Sequence, residues 1–245
     1  MSQGKKEQKV RSVVPLESNP QVFTNFANSL GLSSDWALMD IYSLTDPDLL
    51  AFIPRPVKAV ILLFPLNETI DSLTDSFKSD VPESKNGSSA PIWFKQNVRN
   101  ACGLYALLHS LSNNANLLTD GSILKQFLTE NPASDGQYSD DDAVDDFLVS
   151  ISEIYNENSQ QGDTAAPSAE EDVELHFITF IEKDGLLYEL DGRSKTGPRC
   201  LGKISPDSDL LTEPLVKQRF EWYHGNASES MKLQFSLLGL GPSLD

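Results

Sequence analysis

The sequence predicts an α+β fold. Helical runs with an apolar stripe are mixed along the chain with short, strand-like apolar runs. The one clear strand pair, residues 173–182 and 186–190, is joined by the turn signal Asp184-Gly185 and is therefore antiparallel. The chain has 245 residues, 39% hydrophobic and 22% charged, which is the composition of an ordinary folded protein. No long linker divides it, so residues 13–245 read as one domain behind a polar, frayed tail of residues 1–12.

Ser18-Asn19-Pro20 opens the first helix. Asn19 caps it, and Pro20 sits where a missing N–H costs nothing. Phe23, Phe26, Ala27 and Leu30 follow at helical spacing, and Gly31 ends the run. Asp46-Pro47 starts a short helix to about residue 52, stopped by Pro54 and Pro56. Residues 57–64 are short, β-branched and apolar on both faces, the pattern of a central strand. Residues 67–90 read as a weak helix and a mobile loop. Residues 100–112 form a helix with Leu104, Leu107, Leu108 and Leu111 toward a core, and residues 122–129 form another. A third helix begins near Ser139, where Ser139 and Asp142 resemble a capping box, and carries Phe147, Leu148, Ile151 and Ile154. Residues 156–172 are polar and read as a loop, longer than a compact domain tolerates without a purpose. After the hairpin, residues 212–223 read as a helix with Pro214 in its first turn, and residues 233–240 as a last strand.

The longest apolar run, residues 59–65, is far short of the ~18 residues of a membrane span. The N-terminus, Met-Ser-Gln-Gly-Lys-Lys-Glu, lacks the apolar stretch of a secretory signal. Two cysteines, Cys102 and Cys200, make neither a disulfide framework nor a structural zinc site. The expectation is therefore a reducing compartment, the cytoplasm, and no metal or cofactor. A net charge of −17 repels nucleic acid and anionic membrane. It reads either as solubility or as steering of a basic partner.

Cys102 lies in Lys95-Gln96-Asn97-Val98-Arg99-Asn100-Ala101-Cys102-Gly103. With Asn100 as the helix cap, Cys102 falls in the first turn, where free N–H groups and the helix dipole stabilise a thiolate. The alternative is a buried, inert cysteine. A nucleophilic thiol needs a base, and three histidines are available. His109 is seven residues along the same helix, roughly 10 Å along its axis, too far for proton transfer. His224, beside a helix end, reads as a satisfied or exposed side chain.

His176 is more informative. If Asp184 and Gly185 form a two-residue turn, Asp191 opposes Ile178 and His176 is its diagonal neighbour on the same face. The hairpin then delivers a His–Asp pair, which fixes the imidazole tautomer and stabilises its charged form. Taken alone, Asp191-Gly192 reads as a turn at the strand's end. A helix-start cysteine together with a His–Asp hairpin is the constellation of a cysteine hydrolase. Gln96, six residues before Cys102, could aim an amide at an oxyanion or simply be solvated.

With these residues in view, the chain resembles the ubiquitin C-terminal hydrolases, papain-like thiol peptidases, and most of all their short budding-yeast type. The likeness rests on residues 96–103, on Leu175-His176-Phe177, and on Glu189-Leu190-Asp191-Gly192-Arg193. It extends to Pro15-Leu16-Glu17-Ser18-Asn19-Pro20, Pro54-Arg55-Pro56-Val57 and Ala166-Pro167-Ser168. The resemblance implies a six-stranded antiparallel central sheet flanked by helices, with a knotted backbone. It implies Cys102 as nucleophile, His176 as base, Asp191 as its orienting partner and Gln96 as oxyanion donor. Residues 156–172 would be the crossover loop that limits which leaving groups thread beneath it.

The implied substrates are small adducts and short extensions on the C-terminal glycine of ubiquitin, with a NEDD8-type modifier as a second partner. The implied enzyme is monomeric, with neither nucleic acid nor membrane as a partner. Glu17 and Asp40 match positions that face the partner's arginine-bearing tail. Lys232 stands where the family has a further acid, a departure at that contact. The rival readings are a catalytically silent ubiquitin-binding module and a general cysteine peptidase acting on unfolded peptides.

Overall fold

The computed structural model describes residues 12–76, 90–133, 135–139, 142–164, 167–171, 173–205 and 208–244. The expected tail, apart from Ser12, and most of the expected loop before residue 90 lie outside the described residues.

The first helix, α1 (Pro20–Leu30), starts as its sequence requires. Asn19 Oδ1 accepts from the N–H groups of Gln21 (2.9 Å) and Val22 (3.3 Å). Its apolar stripe of Val22, Phe23, Phe26, Ala27 and Leu30 is buried. Strand β1 (Trp36–Asp40) follows, then the short helix α2 (Pro47–Leu50), capped by Asp46. Strand β2 (Ala59–Pro65) is buried along its full length. Ala59, Ile61 and Leu63 belong to one core cluster, and Val60, Leu62 and Phe64 to another. An unbroken apolar run is what a strand covered on both faces needs.

Beyond β2 come α3 (Glu68–Ser76), β3 (Trp93–Phe94) and α4 (Cys102–Ser112). Every residue of α4 is buried, so this helix is a core element rather than a surface one. Next are α5 (Ile123–Glu130) and β4 (Gln137–Tyr138), which pairs parallel to β3. The single helix expected from Ser139 is in fact two, α6 (Asp142–Ser150) and α7 (Ser152–Ser159), separated at Ile151. Helix α7 therefore occupies the first four residues of the loop expected over 156–172, and the irregular segment begins after Ser159.

The remaining elements are β5 (Leu175–Lys183), β6 (Leu186–Leu190), β7 (Arg199–Lys203), α8 (Pro214–Gly225) and β8 (Ser236–Pro242). The main sheet has six strands in the order β1-β8-β2-β5-β6-β7, every pair antiparallel. Helices cover both faces. α1 and α4 to α7 contribute to the cluster that holds Ile61, and α8 to the cluster that holds Phe64.

Two details of the sheet set up the chemistry. Asp184 (φ 51°) and Gly185 (φ 75°) both adopt left-handed backbone, the two-residue turn that matches strand twist. The register is the one that turn dictates, with Lys183 opposite Leu186 and Thr179 opposite Leu190. Glu189, on β6, has a fully buried side chain. It is bonded to Arg199 and accepts from Arg219 Nε (2.5 Å) and Nη2 (3.1 Å) on α8. The Arg219 guanidinium also packs over the rings of Trp222 and Tyr223.

Breaking one partner of a buried ion cluster strands the other charges. Glu189→Gln is expected to cost about 3–5 kcal/mol on that account, read as a lower urea midpoint at unchanged m-value.

Candidate active site

Cys102 is the first residue of α4, so its expected place in the first helical turn is observed. Asn100, however, is not the cap. The N-cap is Ala101, which offers no side-chain hydrogen bond. Asn100 has φ 60° and turns its side chain the other way, Nδ2 donating to the carbonyls of Ala169 (3.1 Å) and Glu171 (2.9 Å). Helix-start N–H groups are thus left for the Cys102 side chain. The Cys102 sulfur accepts from the Gly103 N–H and from the Phe177 N–H on β5.

His176 lies near the start of β5 and is buried, with the ring of Phe64 standing edge-on at 5.7 Å. Its Nε2 is 2.7 Å from Asp191 Oδ1, the diagonal pairing that the two-residue turn allows. That leaves the other ring nitrogen for the Cys102 sulfur, to which the imidazole is hydrogen-bonded. Burial alone would lower the His176 pKa. The Asp191 carboxylate, with Cys102 behind it, outweighs burial and raises it to about 10. Burial likewise pushes the Cys102 thiol up, yet the His176 hydrogen bond and charge and the two N–H donors bring it below its ordinary value. Burial opposes the charge on Asp191 too. The imidazolium and the Arg193 N–H (2.8 Å to Oδ1) hold its carboxyl below the usual range. The His176–Asp191 pair is thus imidazolium and carboxylate at neutral pH, and it favours the thiolate form of Cys102.

The turn after β6 is sewn to the segment carrying Gln96. The Gln96 N–H donates to Gly192 O (2.8 Å), and the Trp93 indole N–H donates to Asp191 O (2.8 Å). A Cβ on Gly192 would fall 2.9 Å from Gln96 Cβ, so only glycine permits this approach. Gln96 Nε2 donates to Val98 O (3.0 Å), while its Oε1 is buried with no hydrogen-bond partner. His109, read from the sequence as structural, is buried beneath this segment with Nε2 3.0 Å from Phe94 N and 3.1 Å from Phe94 O. Burial lowers its pKa to about 4, which keeps it neutral. His224 stacks on Phe220 at the end of α8.

Cys102 opens onto a cavity of about 390 Å³, lined also by Leu16, Glu17, Gly162, Thr164 and Phe177. Residues after α7, among them Pro167, form part of its wall, the segment read from the sequence as a loop over the site. Glu17 holds that segment through the N–H of Thr164 (2.9 Å), the hydroxyl of Thr164 (2.5 Å) and the N–H of Asp163 (3.3 Å). Burial works weakly against the charge on Glu17, and these donors lower its pKa. Asp40 lies apart. It accepts from the Tyr42 hydroxyl (3.2 Å) and lines a separate cleft with Trp36, Leu49 and Phe52. Lys232 pairs with Glu229.

Of the residues singled out from sequence, the structure joins Cys102, His176 and Asp191 in one hydrogen-bonded chain. It ties Gln96 to the Asp191 turn, sets Glu17 in the cavity wall, and places Asp40 in a separate cleft beside α1. Sequence reasoning missed Trp93 and the Asn100 contacts. Both join residues about seventy or more positions apart, with no local signal. Among the described residues no three potential metal ligands gather, and no helix is long and apolar enough to cross a membrane.

A family model described as ubiquitin carboxyl-terminal hydrolase, family 1, matches residues 13–221. Ubiquitin carboxyl-terminal hydrolase YUH1 of Saccharomyces cerevisiae is 49% identical over 236 residues, covering 95% of this chain and 97% of that one. A ubiquitin carboxyl-terminal hydrolase of Aplysia californica is 36% identical over 214 residues, covering 84% and 94%. Among solved structures, the Trichinella spiralis UCH37 catalytic domain bound to ubiquitin vinyl methyl ester shares the fold. Its TM-score is 0.67 at 22% identity, covering 94% of this chain and 95% of that one.

Because the imidazolium stabilises the thiolate, Cys102 alkylation by iodoacetamide should become fast well below the pH at which a free thiol reacts. Asp191→Asn removes the charge that keeps His176 protonated, so the rise should move to higher pH. The raised His176 pKa also stabilises the fold. That contribution is complete below its ordinary value of 6.5 and is lost as pH climbs to about 10. In Asp191→Asn the loss should begin at lower pH, seen in urea midpoints measured across that window.

Proposed function

The chain belongs to the ubiquitin carboxyl-terminal hydrolase family 1, and from that premise we propose that Cys102, His176, Asp191 and Gln96 carry out its acyl transfer. As a member it is a cysteine-type hydrolase acting at the carboxyl terminus of ubiquitin, a deubiquitinating enzyme. The observation that carries the division of labour is the hydrogen-bonded chain from sulfur through imidazole to carboxylate.

The Cys102 thiolate attacks the carbonyl carbon of the terminal glycine, and the carbonyl electrons move onto oxygen. Gln96, with one amide N–H anchored on Val98 O, offers the other to that oxyanion beside a backbone N–H at the start of α4. The tetrahedral centre collapses. The C–N bond breaks, and the imidazolium of His176 passes its proton to the departing amine. The neutral imidazole then takes a proton from water, the hydroxide attacks the thioester, and the thiolate leaves. Asp191 stays ionised throughout, holding Nε2 so that the opposite nitrogen faces sulfur.

The segment after α7, read as an arch over Cys102, suits ubiquitin carrying small adducts or short, flexible extensions. A double glycine fits the narrow cavity, since a chain without side chains can pass closest to the sulfur. A NEDD8-type modifier with the same kind of tail is a second substrate. Glu17 and Asp40 would receive the arginines of that tail. Glu17 is already engaged with Thr164, so its pairing with the tail requires that contact to part. The acidic surface, net charge −17, favours such a partner over nucleic acid or anionic membrane. The two free thiols suit the cytoplasm, and a monomer suffices because one chain supplies every group named.

Hydrolysis of ubiquitin bearing a C-terminal fluorogenic amide tests the assignment. Cys102→Ser and His176→Ala should abolish turnover while ubiquitin still binds. Gln96→Ala should lower kcat by about 10²–10³ with little change in KM. Full turnover by Cys102→Ser would refute the assignment.

A further inference from the structure

Two residues before the nucleophile, Asn100 adopts left-handed backbone with φ 60°. Among the described residues the only other non-glycine with positive φ is Asp184, inside the hairpin turn. A glycine would take this conformation without strain, so the backbone alone does not explain an asparagine here. The side chain does. Its amide donates to Ala169 O at 3.1 Å and to Glu171 O at 2.9 Å, and the neighbouring Arg99 Nη2 donates to Glu170 O at 3.3 Å. Two adjacent residues thus hold three successive carbonyls, on the stretch where the arch returns from Cys102 toward β5.

We propose that Asn100 is a positioning and specificity-determining residue: its amide pins the C-terminal foot of the arch to the turn that presents Cys102, and so limits the size of the leaving group that passes beneath. The inference rests on the reading of the arch given above and adds the residue that sets it. The other foot is held independently, by Glu17 on Asp163 and Thr164. Thr164 at that foot and Pro167 between the feet line the cavity into which Cys102 opens. A bulky group must lift the arch, and lifting it at the C-terminal foot breaks the two Asn100 bonds. Glu171 is five residues before His176, so the same pin joins the turn carrying the sulfur to the strand carrying the imidazole.

Asn100→Gly keeps the backbone conformation and removes the amide. Asn100→Asp tolerates the same backbone, keeps the shape, and turns an acceptor toward two carbonyls. Each variant is compared with the native chain on two substrates, ubiquitin with a small C-terminal amide and ubiquitin fused through its C-terminus to a folded domain. Both variants should keep turnover of the small amide within about threefold. Both should raise the ratio of fusion to amide turnover by about tenfold, the effect of removing two hydrogen bonds of net ~0.7 kcal/mol each from the closed state.

Limited proteolysis reads the foot without any activity, and both variants should be cut faster between residues 160 and 172. An unchanged ratio with unchanged proteolysis overturns the proposal. So does an Asp variant that behaves like the native chain while the Gly variant opens, and so does loss of small-amide turnover in both variants. If the native chain itself leaves the small amide intact, the functional reading falls, while proteolysis still decides whether Asn100 pins the arch.

Discussion

The 2.7 Å bond between His176 and Asp191 is the interaction on which the rest of the site depends. It sets the charge on the imidazole, and the imidazole sets the charge on the sulfur. Its geometry comes from the sheet rather than from the site. A turn of two residues at Asp184-Gly185 puts residues 176 and 191 on one face, and a shift of one residue would put them on opposite faces. Much of the surrounding structure maintains this pairing. The Trp93 indole and the Gln96 N–H hold the turn after β6, and the Glu189–Arg199–Arg219 cluster anchors β6 two residues before Asp191.

Charge in this site is kept by partners rather than by solvent. Cys102, His176 and Asp191 are all desolvated, and burial works against the ionised form of each. The charged form of each is favoured because the next group in the chain, or a backbone N–H, compensates it. His109 shows the contrast. Equally buried, but hydrogen-bonded to the Phe94 backbone rather than to a carboxylate, it is held neutral by burial even though the Asp191 charge works the other way. Two histidines of the same chain therefore have opposite charge states at neutral pH, decided by whether the ring is hydrogen-bonded to a carboxylate.

The cavity over the sulfur is bounded by segments distant in sequence. The segment before α1 supplies Glu17, the start of α4 supplies Cys102, and Gly162, Thr164 and Pro167 between α7 and β5 add to the wall. Cys102 itself is buried, 8% exposed, and meets solvent through this cavity.

Much of this was legible in the residues themselves. Local chemistry determined the Asn19 cap of α1, the doubly buried β2, the two-residue hairpin turn and the helix-start position of Cys102, because each depends on neighbours a few positions apart. Strands β1 and β7 were not legible. Trp36-Ala37-Leu38-Met39-Asp40 and Arg199-Cys200-Leu201-Gly202-Lys203 have no β-branched run, and they are strands because β8 and β6 pair with them. The same holds for Asn100, whose sequence signals a helix cap but whose amide is claimed by carbonyls about seventy residues away. The sequence alone determined which groups could react and which faces they share. Only tertiary structure decided which of them meet, which stay charged and what closes over them. Contact between distant segments depends on how the sheet and helices pack, and no local pattern encodes that.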